Sequence, residues 1–366
     1  MVLLEELRIK NFRGFDSLEI RGLSKINLLV GKNNSGKTSV LEALLLLVGM
    51  SNPALPGNIN QIRGLKFFFP NQFKYLFNKL KFENKPFFNA VFSDSSERDL
   101  ELSARFQYQE DIPAFQQQKN NVIHVNPSLS VLSPSEITGI DLNFSKKDKS
   151  GSRDSKKSSA IYDATNGAIN YISPNNYKEN LQMAYISPDK DDFATLARYS
   201  EMVKRNENKI ILEALQKFDS NIDDIQPLPD GIYFRLKNVT ELVPGNIMGD
   251  GIRRFLNIVT AVSEKHNAFV LIDEIENGLH YSAYELLWKG LISYSQQNNV
   301  QLFITTHNIE TLKSLRVVLE ENQYKEMRNY SKVFSISKTA ESKYKAYRYS
   351  YEEFRTAIEN DLELRE

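Results

Sequence analysis

The stretch Gly31-Lys32-Asn33-Asn34-Ser35-Gly36-Lys37-Thr38 constrains the fold more than any other part of this chain. Before it, Ile26-Asn27-Leu28-Leu29-Val30 reads as a buried strand; after it, Val40 to Leu47 reads as a buried helix. A strand that hands a glycine-bearing turn to a helix N-terminus makes a phosphate-binding loop, because main-chain N–H groups wrap the phosphates and the helix end adds partial positive charge. Gly31, Asn33, Asn34, Ser35, Gly36, Lys37, Thr38 and Ser39 are the expected nucleotide contacts. Lys37 would neutralise the β- and γ-phosphates, and Thr38 would ligate Mg²⁺.

A second apolar run, Ala268-Phe269-Val270-Leu271-Ile272, ends in Asp273-Glu274 and reads as a central parallel strand with acids at its C-terminal edge. There Asp273 can hold the magnesium through water and Glu274 can polarise an attacking water. A third run, Gln301 to Thr306, ends in His307, a polar group able to reach the γ-phosphate. Between the phosphate loop and Asp273 lies Met248-Gly249-Asp250-Gly251-Ile252-Arg253-Arg254, a glycine turn that opens the apolar helix from Phe255 to Val262.

This order resembles the ABC-type ATPases, and within them the branch of RecF, the Rad50 and SMC heads and the overcoming-lysogenization-defect (OLD) family. Leu7 to Phe15 resembles that branch's opening hairpin, with its turn at Arg13-Gly14. The resemblance covers residues 1–50 and 210–366 and is closest to compact OLD-related ATPases, whose signature turn and closing helix are similar to Met248–Arg254 and Tyr351-Glu352-Glu353-Phe354. Against the Leu-Ser-Gly-Gly-Gln form of transporters, Gly249 replaces the serine and Ile252 the glutamine, which removes a hydroxyl contact. The N–H groups of Asp250 and Gly251 could still approach an anion; the alternative is an ordinary helix start with Asp250 as N-cap.

The resemblance implies an α/β P-loop NTPase of ABC-ATPase type, one domain over 1–366, with a mixed central sheet built from 1–50 and 210–366. Residues 51–209 would then hold an antiparallel β subdomain and a short helical lobe. It also implies an ATP hydrolase acting as a homodimer that sandwiches ATP between the phosphate loop of one subunit and Gly249, Asp250 and Gly251 of the other. Lys37, Thr38 and Asp273 would bind Mg·ATP, Glu274 would be the base and His307 the γ-phosphate sensor. By resemblance the setting is DNA maintenance or anti-phage defence. Full-length OLD proteins carry a metal-binding nuclease domain after the ATPase, but no Asp-x-Asp follows His307, so a separate effector protein, nuclease or toxin, is expected. Asp189-Lys190-Asp191 has the spacing but reads as a solvated turn. The other reading is an ATP-gated scaffold that holds and releases a toxic effector with little turnover.

Composition narrows the partners. With 46 Lys+Arg against 46 Asp+Glu the net charge is zero, so any DNA contact must come from local patches rather than from a basic surface. Zero cysteines exclude disulfides and cysteine metal sites, which suits a cytoplasmic protein. No apolar stretch is long enough for a bilayer, and no signal peptide is evident, so no membrane partner is expected.

The middle of the chain is less legible. Phe87–Phe92 and Leu100–Tyr108 have strand composition. Ser145 to Ser159 carries six Lys/Arg, two Asp and many serines, and reads as a flexible loop, either a DNA-phosphate contact or a solvated linker. Tyr199 to Phe218 reads as helix, and no sustained heptads announce a long coiled-coil arm. Gln61 and Gln72 are candidates for the glutamine that senses nucleotide in this branch, with a surface amide the alternative for each. His280, in Asn277-Gly278-Leu279-His280, either crosses a dimer interface or caps a helix; His124 and His266 have no partner spacing for a metal.

Overall fold

A computed structural model describes residues 2–65, 70–106, 137–188, 192–339, 341, 343–360 and 364. The chain begins β1 (Leu4–Phe12), β2 (Phe15–Arg21), β3 (Ile26–Val30), α1 (Lys37–Val48) and α2 (Leu55–Ile62). After two 3-10 stretches, Pro70–Leu76 and Asn78–Leu80, come β4 (Phe87–Phe92), β5 (Glu97–Phe106), β6 (Ile137–Lys147), β7 (Arg153–Asp163), β8 (Ala168–Ile172) and β9 (Gln182–Ile186). Helices α3 (Asp192–Lys204) and α4 (Lys209–Phe218) lead into β10 (Ile222–Leu228), β11 (Gly231–Leu236) and β12 (Val243–Pro244). The last part runs α5 (Asp250–Glu264), β13 (Ala268–Ile272), α6 (Tyr284–Gln297), β14 (Gln301–Thr305) and α7 (Ile309–Glu320). It closes with α8 (Met327–Tyr330), β15 (Ser331–Lys338), β16 (Tyr344–Tyr349) and α9 (Tyr351–Glu359).

The six-stranded sheet runs β16-β15-β3-β14-β13-β9, parallel except for β16. Its strands β3, β14 and β13 are buried at every position and largely apolar because both faces are covered. Ile26, Leu28, Val30, Val270, Ile272, Leu302 and Ile304 face one core with α5, α6 and α7, while Leu29, Phe269, Leu271 and Phe303 face a second core that contains α1. This alternation has the period of two that pleating imposes. Helix α1 lies between this sheet and an antiparallel one of order β2-β1-β4-β5-β6-β7-β8. Buried at every position from Ser39 to Val48, it needs no polar face, which accounts for its run of leucines. The expected hairpin turns at Arg13-Gly14, and the closing helix α9 starts at Ser350 in a reciprocal capping box with Glu353.

Three parts of the sequence reading change. Residues 145–159 are the β6–β7 hairpin and not a loop, because its charges pair across strands: Lys147 with Glu97 at 2.8 Å, Arg153 with Asp99 at 2.9 Å and Lys157 with Asp141 at 2.8 Å. Asp148 turns the hairpin by accepting from the N–H groups of Ser150 and Ser152. Strand β9, assigned to the inserted region, joins the parallel sheet beside β13, in register from Ala268↔Gln182 to Ile272↔Ile186. A five-residue edge strand has too few positions to announce its partner. The helix expected over 199–218 is broken between α3 and α4, where Asn206 takes φ 58°. Tyr108, His124 and the Asp189/Asp191 pair lie outside the described residues.

Candidate functional site: a phosphate loop beside an Asp-Glu strand end

The parallel sheet places β14 between β3 and β13, so the phosphate loop, His307 and Asp273-Glu274 leave the carboxyl ends of three adjacent strands. In open α/β sheets that edge is where ligands bind. Two glycines are required by geometry. A Cβ on Gly31 (φ 146°) would sit 2.4 Å from the Ile336 carbonyl, and one on Gly36 (φ 95°) would sit 2.4 Å from the Phe15 ring. The opening hairpin thus presses on the loop through Phe15, itself packed edge-on against Tyr344. Gly36 is the N-cap of α1 and offers no side-chain cap, which leaves the first N–H groups of the helix to an anion. Asn33 and Asn34 are exposed at the crest of the loop, and Ser35 turns its hydroxyl inward.

Lys37 is buried, and its ammonium donates to the carbonyls of Gly31 at 2.8 Å and Lys32 at 3.0 Å, held within the curl of the loop. The Thr38 hydroxyl donates to Asp273 Oδ1 at 3.1 Å. Two further hydroxyls converge on that carboxylate: Thr305 Oγ1 at 2.6 Å on Oδ1 and Tyr185 at 3.3 Å on Oδ2. Burial, reinforced by Asp273, pushes the Tyr185 phenol far above its ordinary pKa, so it stays a donor. Hydroxyl and carboxylate side by side are the hard oxygen donors Mg²⁺ takes, and Thr38 and Asp273 are the residues that would hold it.

Glu274 has a left-handed backbone, φ 48°. Its N–H donates to Thr305 Oγ1 at 2.8 Å, while its half-buried carboxylate makes no hydrogen bond among the described residues. Two residues on, buried Glu276 accepts at Oε1 from the His307 N–H at 2.8 Å and lies 2.9 Å from His307 Nδ1, which directs Nε2 away from it. Sequence reasoning missed Glu276; its place two residues beyond Glu274 was the available signal.

The structure also ties the loop helix to the hairpin through Glu42, fully buried in α1. Its carboxylate accepts from Arg13 Nε at 2.7 Å and from Arg63 Nε at 2.7 Å, and Arg63 reaches on to Ser39 Oγ at 3.4 Å. Removing one member of a buried ion network leaves uncompensated charge, costing about 3–5 kcal/mol, whereas an exposed pair is worth about 1 kcal/mol or less. Glu42→Gln should therefore lower the melting midpoint by several degrees, and Glu19→Gln, in the exposed Arg8–Glu19 pair, should leave it nearly unchanged. Equal shifts in a calorimetric scan would refute this role for Glu42.

Gly249, Asp250 and Gly251 are placed elsewhere, against the Asn277–Gly278 loop. Gly249 is the N-cap of α5, so Asp250 is the first helical residue and not the cap. A Cβ at Gly251 would lie 3.2 Å from the Gly278 carbonyl, whereas one at Gly249 meets nothing within 4 Å. Gly249 and Asp250 are exposed. Of the glutamine candidates, Gln61 lies exposed in α2 and Gln72 is half-buried in the first 3-10 stretch, where its main-chain carbonyl accepts from Asn60. His280 takes the capping role, accepting from the Ser282 N–H.

Phosphate loop, Asp-Glu strand end, strand-end His and glycine-turn helix on this sheet define an ABC-type ATPase of the RecF, SMC and Rad50 branch. A family profile described as "AAA domain, putative AbiEii toxin, Type IV TA system" matches residues 26–313, and the chain belongs to that family. It is 27% identical to an ATP/GTP phosphatase of Helicobacter pylori, over 88% of this chain and 90% of that one. Shorter similarity links it to the Rad50 ATPase of Archaeoglobus fulgidus, 46% identical over 54 residues covering 15% of this chain and 6% of that one. RecF of Idiomarina loihiensis is 39% identical over 61 residues, 17% of each chain. Among solved structures, an SMC head bound to the C-winged helix domain of ScpA aligns over 96% of this chain and 99% of that one, with 12% identity and a TM-score of 0.48. Among the described residues no helix is long and apolar enough to cross a membrane.

Proposed function

We propose that the chain hydrolyses Mg·ATP as a head-to-tail dimer, with each nucleotide held between Gly31–Ser39 of one subunit and Gly249, Asp250 and Gly251 of its partner. The observation that carries this reading is the division of the parts: Lys37, Thr38, Asp273, Glu274 and His307 share one sheet edge, while the glycine turn sits exposed on the Gly278 loop. Lys37 binds the β- and γ-phosphates, Thr38 and Asp273 hold Mg²⁺, Glu274 takes a proton from the attacking water, and His307 contacts the γ-phosphate through Nε2. Bound Mg²⁺ supplies charge neutralisation across the phosphates. With nucleotide forming the interface, hydrolysis loosens the dimer.

The biological reading is DNA-linked, in maintenance or anti-phage defence, with a nuclease or toxin on a separate polypeptide. Relatives named as Rad50 and RecF support the DNA link. Four of the six Lys/Arg in 145–159, Lys147, Arg153, Lys156 and Lys157, are poor candidates for the contact, since they already have carboxylate partners. The family's toxin–antitoxin description supports a second reading, an ATP-gated scaffold that holds a toxic effector with little turnover. ATPase assays with and without duplex DNA separate the two. Several-fold stimulation is expected from the first and none from the second. The purified chain with Mg²⁺ or Mn²⁺ and ATP should cut neither linear nor supercoiled DNA, and cleavage lost on changing Asp189 and Asp191 would place the nuclease in this chain.

A further inference from the structure

Arg254 is a buried cation without a carboxylate partner among the described residues. All of its hydrogen bonds go to main-chain carbonyls: Nη1 to Ser187, just past β9, and Nη2 to Asp273 at 2.7 Å and Glu274 at 3.2 Å, just past β13. Its Nε is buried without a partner among the described residues. Burying a guanidinium on carbonyls alone is unfavourable, and here burial does press its pKa down against the pull of Asp273, Glu276 and Glu274. A hydrophobic side chain would pack α5 on the sheet without that cost, so the charge has some other use.

What it holds is the backbone of the base. Glu274, in its left-handed conformation, has both main-chain polar groups fixed, the N–H by Thr305 Oγ1 at 2.8 Å and the carbonyl by the Asn277 N–H at 3.0 Å together with Arg254 at 3.2 Å. Its carboxylate has no hydrogen bond of its own among the described residues, so the hold on the side chain is through that backbone, which fixes where the Cα–Cβ bond points. Arg254 stands in the first turns of α5, the helix that Gly249 caps and Asp250 begins. One rigid helix therefore joins the glycine turn to the chain's own Asp273-Glu274 peptide.

We infer that Arg254 is a positioning residue which holds Glu274 in its catalytic orientation and couples it to the glycine turn of the same subunit, so that docking of that turn on the partner's nucleotide is felt at this subunit's own base. This rests on Glu274 being the base and Gly249–Gly251 being the turn that meets ATP. The coupling needs no direct contact between the two sites, because the helix carries it.

The test uses the full chain with Arg254→Met and Arg254→Lys, each alone and combined with Glu274→Gln, reading kcat, KM, ATP binding and melting midpoint. Arg254→Met should lower kcat by about 10-fold or more while KM and ATP affinity stay within about 3-fold, the pattern of a lost transition-state interaction. Arg254→Lys, which can reach some of the carbonyls, should recover part of that loss. In the Glu274→Gln background Arg254→Met should add little, because both changes disable one unit. A folded Arg254→Met enzyme with unchanged kcat, or an equal kcat loss in both backgrounds, overturns the inference. If Arg254→Met does not fold, the lysine variant decides: a lowered kcat at constant KM supports the inference, and an unchanged kcat overturns it. Wild-type turnover by Glu274→Gln alone would instead overturn the assignment of the base.

Discussion

Glu274→Gln is expected to bind ATP as the parent does and to hydrolyse it at least about 10²-fold more slowly, the scale on which a positioned general base contributes. That factor corresponds to about 2.7 kcal/mol of barrier. The amide keeps the shape of the side chain and cannot accept a proton, and the backbone restraints from Thr305 and Arg254 do not involve the carboxylate. Binding should survive because in the proposed site the phosphate contacts fall to Gly31–Ser39 and the metal to Thr38 and Asp273, none of which is changed. Lys37→Ala should do the reverse, losing ATP affinity. Single-turnover hydrolysis alongside equilibrium nucleotide binding checks both. Wild-type turnover by the glutamine variant would remove Glu274 from the mechanism.

The dimer model makes the second large prediction. Gly249→Arg should abolish turnover while sparing ATP binding, because it obstructs only the surface that meets the partner's nucleotide. Gly249 is a cleaner position than Gly251: a side chain there enters open space, whereas at Gly251 it crowds the Gly278 carbonyl and the Phe218 ring. Mixed with Lys37→Ala, Gly249→Arg should regain activity, since the mixed dimer keeps one composite site with a sound phosphate loop and a sound glycine turn. Random pairing and independent sites put the recovery at roughly a quarter of the parent rate. Activity in the mixture no greater than the sum of the two separate variants, or an active monomer at every concentration, would exclude the sandwich.

Sequence by itself determined the parts of this ATPase that are written locally. A phosphate loop needs glycine where φ is positive, Gly31 and Gly36, and an apolar strand and helix on either side, all within about twenty residues. The runs ending at Asp273 and His307 were legible for a similar reason: strands buried on both faces are largely apolar, and ionisable groups at their ends stand out. Tertiary structure alone decided what holds those parts in place. Asp273 is set by Thr305, 32 positions away, and by Tyr185, 88 away; Glu42 meets Arg13, 29 away, and Arg63, 21 away. Such pairs have no period and no fixed spacing, so nothing in the chain marks them before it folds. The β6–β7 hairpin shows the same limit from the other side. Its lysines and serines have the composition of a solvated linker, and they become strand residues only because Glu97, Asp99 and Asp141 stand opposite them in register.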